Sequence, residues 1–322
     1  MDLITSLPPQ LHGITILVVV MLVKRILQGI SPHEPFIYFR FFCQQLALKV
    51  NKSENGSRQQ TISGFVAVLI TFAPLWVILW LFADFVQVEA LWQALLLYFA
   101  LGELTLKPTA NKVVKTLSAG DKYQAKQLLA DQVLRDTEQL SPLGINKATI
   151  EMLILRHMQQ TVAVSFLFLL GGGLLAISYR LILEMHYSWN QKITALRAFG
   201  QFAKQLTELF TWLPCRFMLL AGLFLSFGQQ STLLWRMTMP DFFKLNNHAL
   251  LQFFAIALNV RLAGVAMYKG IKVRRRSFND NGKQPEIKDI VSCHQFLSRI
   301  NTLLAMLAIA LVTLPWLASY TY

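Results

Sequence analysis

The chain has 322 residues, of which 54% are hydrophobic and 15% charged, and its mean hydropathy is +0.45. Soluble domains carry about 25% charged residues, so this composition excludes an ordinary soluble enzyme and a disordered chain. The net charge of +13 fits basic loops beside membrane helices better than a nucleic-acid partner. The chain has three cysteines, which excludes a disulfide framework as its main source of stability. None of them has the spacing of a zinc-ligand pair.

This composition predicts an all-α polytopic membrane protein with about six transmembrane helices and amphipathic extramembrane helices. Residues 1–322 are expected to form a single membrane domain. A weaker apolar run over residues 248–268 contains Asn259 and Arg261, so it is re-entrant or packed inside the protein, and five to seven spans stay open. In chain order, the predicted spans cover residues 13–23, 62–83, 89–104, 162–183, 212–228 and 300–318.

The 162–183 span contains three consecutive glycines, Gly171, Gly172 and Gly173. Adjacent glycines in a membrane helix permit either a close approach of a second helix or a break in the helix. Both alternatives stay open from the sequence alone.

Two long polar segments separate the later spans. Residues 106–161 place leucines at helical spacing among lysines and aspartates, which predicts a cytoplasmic helical insertion. Residues 230–300 form a basic cytoplasmic or re-entrant segment, with three arginines at 274–276 in a polar loop. Loops 24–61, 106–161 and 230–300 hold 6, 8 and 11 Lys and Arg, against 3 on the alternate side. This asymmetry predicts a multi-pass membrane protein with both termini outside the cytoplasm and the three basic segments within it.

Several short motifs occur over residues 89–264 in the order and spacing of a known family. Residues 133–137 read Val-Leu-Arg-Asp-Thr, residues 148–151 read Ala-Thr-Ile-Glu, and residues 260–264 read Val-Arg-Leu-Ala-Gly. The family patterns are V-G-R-D-T, A-x-I-E and V-R-L-G-G. Residues 213–216 and 241–244 are similar to its I-P-A-R and D-x-x-K. The chain therefore resembles the CobD/CbiB-type cobinamide-phosphate synthases, membrane enzymes of cobalamin biosynthesis.

The resemblance implies a ligase that joins adenosylcobyric acid to an aminopropanol phosphate through an amide bond and consumes ATP. Such chemistry needs carboxylates to hold Mg²⁺ or to accept the amine proton, and cations to hold phosphates. The catalytic residues so implied are Asp136, Glu151 and Asp241. The substrate-binding residues so implied are Arg135, Thr137, Arg216, Lys244 and Arg261.

Each of these residues also has a structural interpretation. Local ion pairs, helix caps and arginines that extend toward the membrane surface place the same residue types at the same positions. We expect two groups of charged residues to meet at the cytoplasmic face: Arg135, Asp136 and Glu151 in the first, and Asp241, Lys244 and Arg261 in the second. Such a meeting would favour a functional site over separate structural ion pairs.

Acidic and amide positions depart from the family pattern. After A-x-I-E the family carries E-N-x-x-D-G, whereas this chain has Leu155, Arg156, Gln159 and Gln160. Two functional classes therefore stay open: a divergent cobinamide-phosphate synthase, or a non-catalytic pseudoenzyme, an AmpE-like membrane regulatory or scaffold relative. The expected partners are the lipid bilayer and, for an active enzyme, a corrinoid. A homo-oligomer and cobalamin-pathway proteins are further candidates, and the metal is unknown.

Overall fold

The computed structural model describes residues 9–30, 35–102, 106–245 and 247–319. Most of these residues are helical, which confirms the coarse α-helical class. Two compact units divide the chain: Met1–Leu104, Gln160–Phe210 and Leu304–Tyr322 form the first, and Thr105–Gln159 and Thr211–Leu303 form the second. In chain order, the elements are α1 (Pro9–Ile30), α2 (Ile37–Val50), α3 (Ser57–Phe85), α4 (Glu89–Ala100), α5 (Leu106–Ser118), α6 (Lys122–Ala130), α7 (Pro142–His157), a π turn (Met158–Val162), α8 (Ala163–Ser188), a 3₁₀ turn (Thr194–Leu196), α9 (Gln201–Leu225), α10 (Gln229–Phe242), α11 (His248–Ala257), β1 (Leu262–Tyr268), β2 (Ile271–Phe278) and α12 (Ile287–Ser319).

Three of the described helices are long and apolar enough to cross a membrane: Ser57–Phe85, the continuous stretch Pro142–Ser188, and Gln201–Leu225. They contain the predicted spans 62–83 and 162–183 and most of 212–228. On α3 the apolar side chains are largely exposed, with Ile70 at 63% and Phe82 at 56%. Such a surface is typical of contact with lipid acyl chains, because in water it would form a large adhesive patch. The count of about six spans stays a prediction.

In the predicted span over residues 89–104, of which the structure describes residues 89–102, the helix is shorter than a membrane crossing requires. α4 ends at Ala100 after 12 residues, a length of about 18 Å against the roughly 30 Å of a bilayer core. The ammonium group of Lys24 donates hydrogen bonds to the carbonyl oxygens of Tyr98, at 2.6 Å, and Leu101. A lysine in this position satisfies carbonyl groups that the end of the helix leaves open.

The first unit contains a break in α8 at the glycine cluster. Gly171 and Gly172 leave the helical conformation, and Gly172 has a positive φ of 73° that glycine adopts without steric cost. The backbone N–H of Gly173 donates to Oε1 of Gln93 at 2.5 Å, so α4 supplies an acceptor at the break. A Cβ on Gly173 would lie 2.8 Å from the Cβ of Leu96. The glycines therefore provide both the break and the close helix contact.

We predict that Gly173→Ala lowers the stability of the first unit. The added methyl group must displace α4, and overpacking of this kind costs about 1–3 kcal/mol. The control is Gly56→Ala, because Gly56 has a φ of −62° and a Cβ added there would meet no heavy atom within 4 Å. Thermal unfolding of both variants in detergent checks this prediction, and equal midpoints would contradict the close packing of α4 on α8.

The second unit contains a two-stranded antiparallel sheet that the all-α prediction missed. β1 and β2 pair through a two-residue turn at Lys269 and Gly270, whose φ values of 48° and 76° are those of a type I′ turn. The expectation of a polar loop at residues 274–276 is therefore wrong, because these arginines lie in β2. The apolar run over 248–268 is also divided, since α11 ends at Ala257 and β1 begins at Leu262.

Candidate functional site

A buried carboxylate, Glu151, is central to the first group of candidate site residues. It lies on α7, whose N-terminus is capped by Ser141 and begins with Pro142. Glu151 is only 2% exposed. Its Oε2 accepts hydrogen bonds from Nη2 of Arg135 at 2.5 Å and from Nη1 of Arg275 at 3.0 Å. Two guanidinium groups therefore compensate a carboxylate that burial alone would disfavour.

A β-bulge supplies the third hydrogen bond to this carboxylate. The strand register shifts between Ala263 and Val265, and Ala263 and Gly264 have positive φ values of 59° and 93°. This conformation directs the backbone N–H of Ala263 to Oε1 of Glu151 at 3.1 Å. The V-R-L-G-G pattern has glycine where this chain has Ala263, and glycine adopts such a φ without steric cost. The bulge thus explains why small residues occupy this motif.

Asp136 holds the turn of the hairpin. Its carboxylate accepts backbone N–H groups from Lys269 at 3.0 Å and from Gly270 at 2.7 Å. The N–H of Asp136 donates in turn to the carbonyl of Met267 at 2.9 Å. Thr137, the next residue, is buried. Arg135 and Asp136 are consecutive residues of one motif. Arg135 binds Glu151 on α7, and Asp136 binds the turn of the hairpin.

Lys147 and, through Lys147, Arg261 add further positive charge to this group. Lys147 lies one helical turn before Glu151 and interacts electrostatically with both Glu151 and Arg261. Nη2 of Arg261 lies 3.0 Å from Oδ1 of Asp280, and these side chains are 42% and 64% exposed, respectively. We call the four basic residues Arg135, Lys147, Arg261 and Arg275, together with Glu151, the Glu151 cluster. Its excess of positive charge suits an anionic ligand.

The second group of candidate residues surrounds Asp241, which is 1% exposed near the end of α10. Its Oδ1 accepts from Nζ of Lys244 at 2.9 Å, and its Oδ2 accepts from Nη1 of Arg276 at 2.8 Å. Arg216 donates to the backbone carbonyls of Lys244, at 2.6 Å, and Trp212, at 3.1 Å. The guanidinium of Arg216 also lies 4.8 Å from the centroid of the Trp212 ring. Asp241, Lys244 and Arg216 therefore meet at the end of α10.

The charged surroundings change the pKa values of these groups. Burial by itself would raise the pKa of the Asp241 carboxyl, but the hydrogen bond from Lys244 and the charges of Arg276 and Lys244 lower it overall. Burial would likewise lower the pKa of the Arg275 guanidinium, but the charges and hydrogen bonds of Glu151 and Tyr268 together outweigh burial and raise it. Asp241 is therefore ionised at neutral pH and is a weak proton acceptor. Its ion pairs stabilise the fold above the ordinary carboxyl pKa, and this stabilisation is lost as the pH falls through the lowered value.

The two groups are linked by consecutive residues of β2. Arg275 binds Glu151 and Arg276 binds Asp241, next to the bulge of the sheet. The structure thus links Glu151 and Asp241 through adjacent residues of one strand, and the catalytic and binding roles of the candidate residues stay predictions. Neither arginine was among the residues predicted for the site. The alternation of Ile271 and Val273 with basic residues is the strand signal that could have placed them there.

The carboxylates do not form a metal cage. Mg²⁺ prefers carboxylate oxygens in octahedral geometry, usually with several waters. Within the part of the chain that the structure describes, no group of three or more His, Cys, Asp or Glu side chains could hold a metal ion. Asp136, Glu151 and Asp241 are each bonded to cations or backbone N–H groups instead. This donor set does not fit a resident Mg²⁺ ion.

One departure from the family pattern lies next to this site. Arg156 occupies the position of a family asparagine, and its Nη1 donates to the side-chain oxygen of Gln132. Two residues later the helix enters the π turn over Met158–Val162. Turns of this type interrupt helices frequently at functional sites. The helix is therefore distorted where the family pattern and this sequence differ.

We predict that Glu151→Gln lowers the free energy of unfolding by about 3–5 kcal/mol, because it leaves Arg135 and Arg275 buried without their counter-charge. The matched control is Glu138→Gln, since Glu138 is exposed and its change is expected to stay within about 0.5 kcal/mol. Denaturant unfolding of the detergent-solubilised chain measures both. Similar stabilities for the two variants would show that the ion cluster does not hold the second unit together.

We also predict that Asp136→Ala loosens the turn of the hairpin. The amides of Lys269 and Gly270 lose their acceptor and exchange hydrogen faster, which hydrogen–deuterium exchange followed by mass spectrometry detects. Asp131→Ala is the control, because Asp131 is an exposed residue at the end of α6. Unchanged exchange at the turn in Asp136→Ala would contradict its role.

The chain is similar in sequence to known proteins over most of its length. The chain is 29% identical over 249 residues to the cobalamin biosynthesis protein CobD of Chromobacterium violaceum, covering 77% of this chain and 80% of that protein. It is 27% identical to the protein of the same name from Stutzerimonas stutzeri, covering 76% and 82%. The corresponding protein of Listeria monocytogenes serovar 1/2a is 26% identical, with coverage of 80% and 85%. No solved structure matches the chain.

The model of the CobD/Cbib protein family matches residues 18–297. This match includes α7, the bulged hairpin, the Glu151 cluster and the group of residues around Asp241. The chain therefore belongs to the CobD/CbiB family.

Proposed function

We propose that this chain acts in cobalamin biosynthesis as an ATP-dependent ligase of the bacterial inner membrane. It joins adenosylcobyric acid to an aminopropanol phosphate through an amide bond. The observation that carries the proposal is the Glu151 cluster. It unites residues from three family-like motifs, at 133–137, 148–151 and 260–264, around one concentration of positive charge.

The reaction requires a site that holds several anions. ATP transfers a phosphoryl group to the corrinoid carboxylate, and the amine nitrogen then attacks the acyl carbon. The bond from carbon to the phosphate oxygen breaks, phosphate leaves, and the amine proton passes to solvent. ATP, the activated carboxylate and aminopropanol phosphate all carry negative charge, so basic side chains lower the repulsion between them.

The four cations of the Glu151 cluster supply this charge in two ways. Arg135 and Arg275 are held rigidly by Glu151, which makes Glu151 a positioning residue for them. The side chain of Arg261 is 42% exposed, and Lys147 is half-buried. In this proposal both residues contact the phosphate oxygens of the substrates. Near β2, Asp241 similarly positions Arg276 and Lys244. ATP brings its own Mg²⁺, and the carboxylates receive no metal-binding role.

The charge distribution supports a cytoplasmic location for this chemistry. Segments 106–161 and 230–300, which contain the whole Glu151 cluster and the three arginines of β2, hold 19 of the 30 basic residues. The positive-inside bias assigns such segments to the cytoplasm, the compartment that holds ATP. Apolar helices such as α3 anchor the chain in the bilayer as a multi-pass protein.

The test is genetic complementation. The full chain is expressed in a bacterium that lacks its cobinamide-phosphate synthase, with cobyric acid as the sole corrinoid and growth made dependent on cobalamin. We expect growth. Absence of growth, with the protein detected in the membrane fraction, would contradict the proposed ligase activity.

A matched pair of variants separates the chemistry from the fold. Arg261→Gln and Asp280→Asn each break the same exposed ion pair, which contributes little to stability. Only Arg261→Gln removes the cation. We expect growth to fall at least about tenfold with Arg261→Gln, since a phosphate contact is worth about 1.5–3 kcal/mol, and to persist with Asp280→Asn. Equal growth of the two variants would contradict the role of Arg261.

A further inference from the structure

The first unit contains a buried ion cluster of its own, around Glu184, which the proposed function does not use. Glu184 on α8 is 1% exposed, and its Oε1 lies 2.6 Å from Nη2 of Arg180, one helical turn earlier. Nε of Arg40, on α2, lies 3.4 Å from Oε2 of the same carboxylate. Among the residues that the structure describes, this cluster contains the guanidinium groups of Arg40 and Arg180 and the carboxylate of Glu184.

Arg180 is buried with much of its hydrogen-bonding capacity unused. The residue is 7% exposed. Within the part of the chain that the structure describes, its Nε and Nη1 are buried and have no hydrogen-bond partner. A guanidinium group has five N–H donors, and one carboxylate oxygen cannot satisfy them. Leaving buried charged donors unpaired is costly, so the arrangement favours an additional acceptor.

The surrounding helices hold this guanidinium in place. The indole Nε1 of Trp189, at the end of α8, donates to the carbonyl of Cys43 on α2 at 2.8 Å. The ring of Trp189 also packs edge-on against Phe199, with 5.1 Å between centroids. One turn before Cys43, Arg40 reaches Glu184, and the ring of Phe36 lies 5.1 Å from the Arg180 guanidinium. The donors are therefore preorganised rather than free to turn toward solvent.

We propose that Arg180, positioned by Glu184, binds the phosphate group of a phosphate ester. Phosphate suits this position because its oxygens accept several hydrogen bonds at once and its charge matches the guanidinium. Such a group comes either from a soluble phosphate compound or from the headgroup of a phospholipid. The site is separate in sequence from the Glu151 cluster, and its existence does not depend on the ligase activity.

Thermal unfolding of the full chain in detergent tests the site. One arm compares inorganic phosphate with sodium chloride at equal ionic strength. The other compares micelles containing phosphatidylglycerol with micelles containing diacylglycerol, which lacks phosphate. A ligand at about ten times its Kd raises the unfolding midpoint by roughly 2–4 °C. A shift in the first arm identifies soluble phosphate, a shift in the second alone identifies a lipid headgroup, and no shift in either arm overturns the proposal.

Three variants assign the response to Arg180. Arg180→Gln should abolish the shift, whereas Lys49→Gln, which removes an exposed positive charge from α2, should retain it. A wild-type response in Arg180→Gln would overturn the assignment. Glu184→Gln removes the internal counter-charge and should strengthen phosphate binding about tenfold or more. A purely structural ion pair would only lose baseline stability. If Arg180→Gln does not fold, a shift of the unfolding midpoint in Glu184→Gln that is equal to or smaller than the wild-type shift overturns the proposal.

Discussion

Glu151 is buried in an ionised, fully bonded state because Arg135 and Arg275 neutralise its charge and the amide of Ala263 completes its hydrogen bonds. This constraint joins three segments that lie far apart in the chain: the turn after α6, the middle of α7 and the bulged hairpin. Removing Glu151 leaves the guanidinium groups of Arg135 and Arg275 without their counter-charge in the interior.

The same network explains why the chain retains charged family residues while several acidic positions differ. In the described structure, Glu151 and Asp241 hold arginine and lysine side chains, and Asp136 holds the turn between β1 and β2. The carboxylates therefore position cations, and the cations remain the groups suited to phosphate. Loss of acidic residues elsewhere in the pattern leaves this arrangement intact.

Much of the architecture was predictable from composition and periodicity. Long apolar runs indicated the helices that contain residues 62–83 and 162–183. The glycine cluster left a helix break and a close helix contact as alternatives, and the structure has both. The hairpin was not predicted, because residues 274–276 were interpreted from their charge and the alternation of Ile271 and Val273 with Lys272 and Arg274 was not used. The length of α4 was also missed, since hydropathy does not register a helix end capped by Lys24, which lies 77 residues before Leu101.

Among the candidate site residues, the sequence motifs indicated which charged side chains belong together but not their partners. Arg135, Asp136 and Glu151 stood out because residue type and spacing are local properties of the chain. Their bonds to Arg275, Gly270 and Ala263 cross more than 100 positions in sequence, and no local pattern encodes such contacts. The sequence by itself determined a basic, helical, membrane-type protein and its family. Only the tertiary structure decided which cation neutralises each buried carboxylate, because that choice depends on strand pairing and on the bulge that directs one backbone amide.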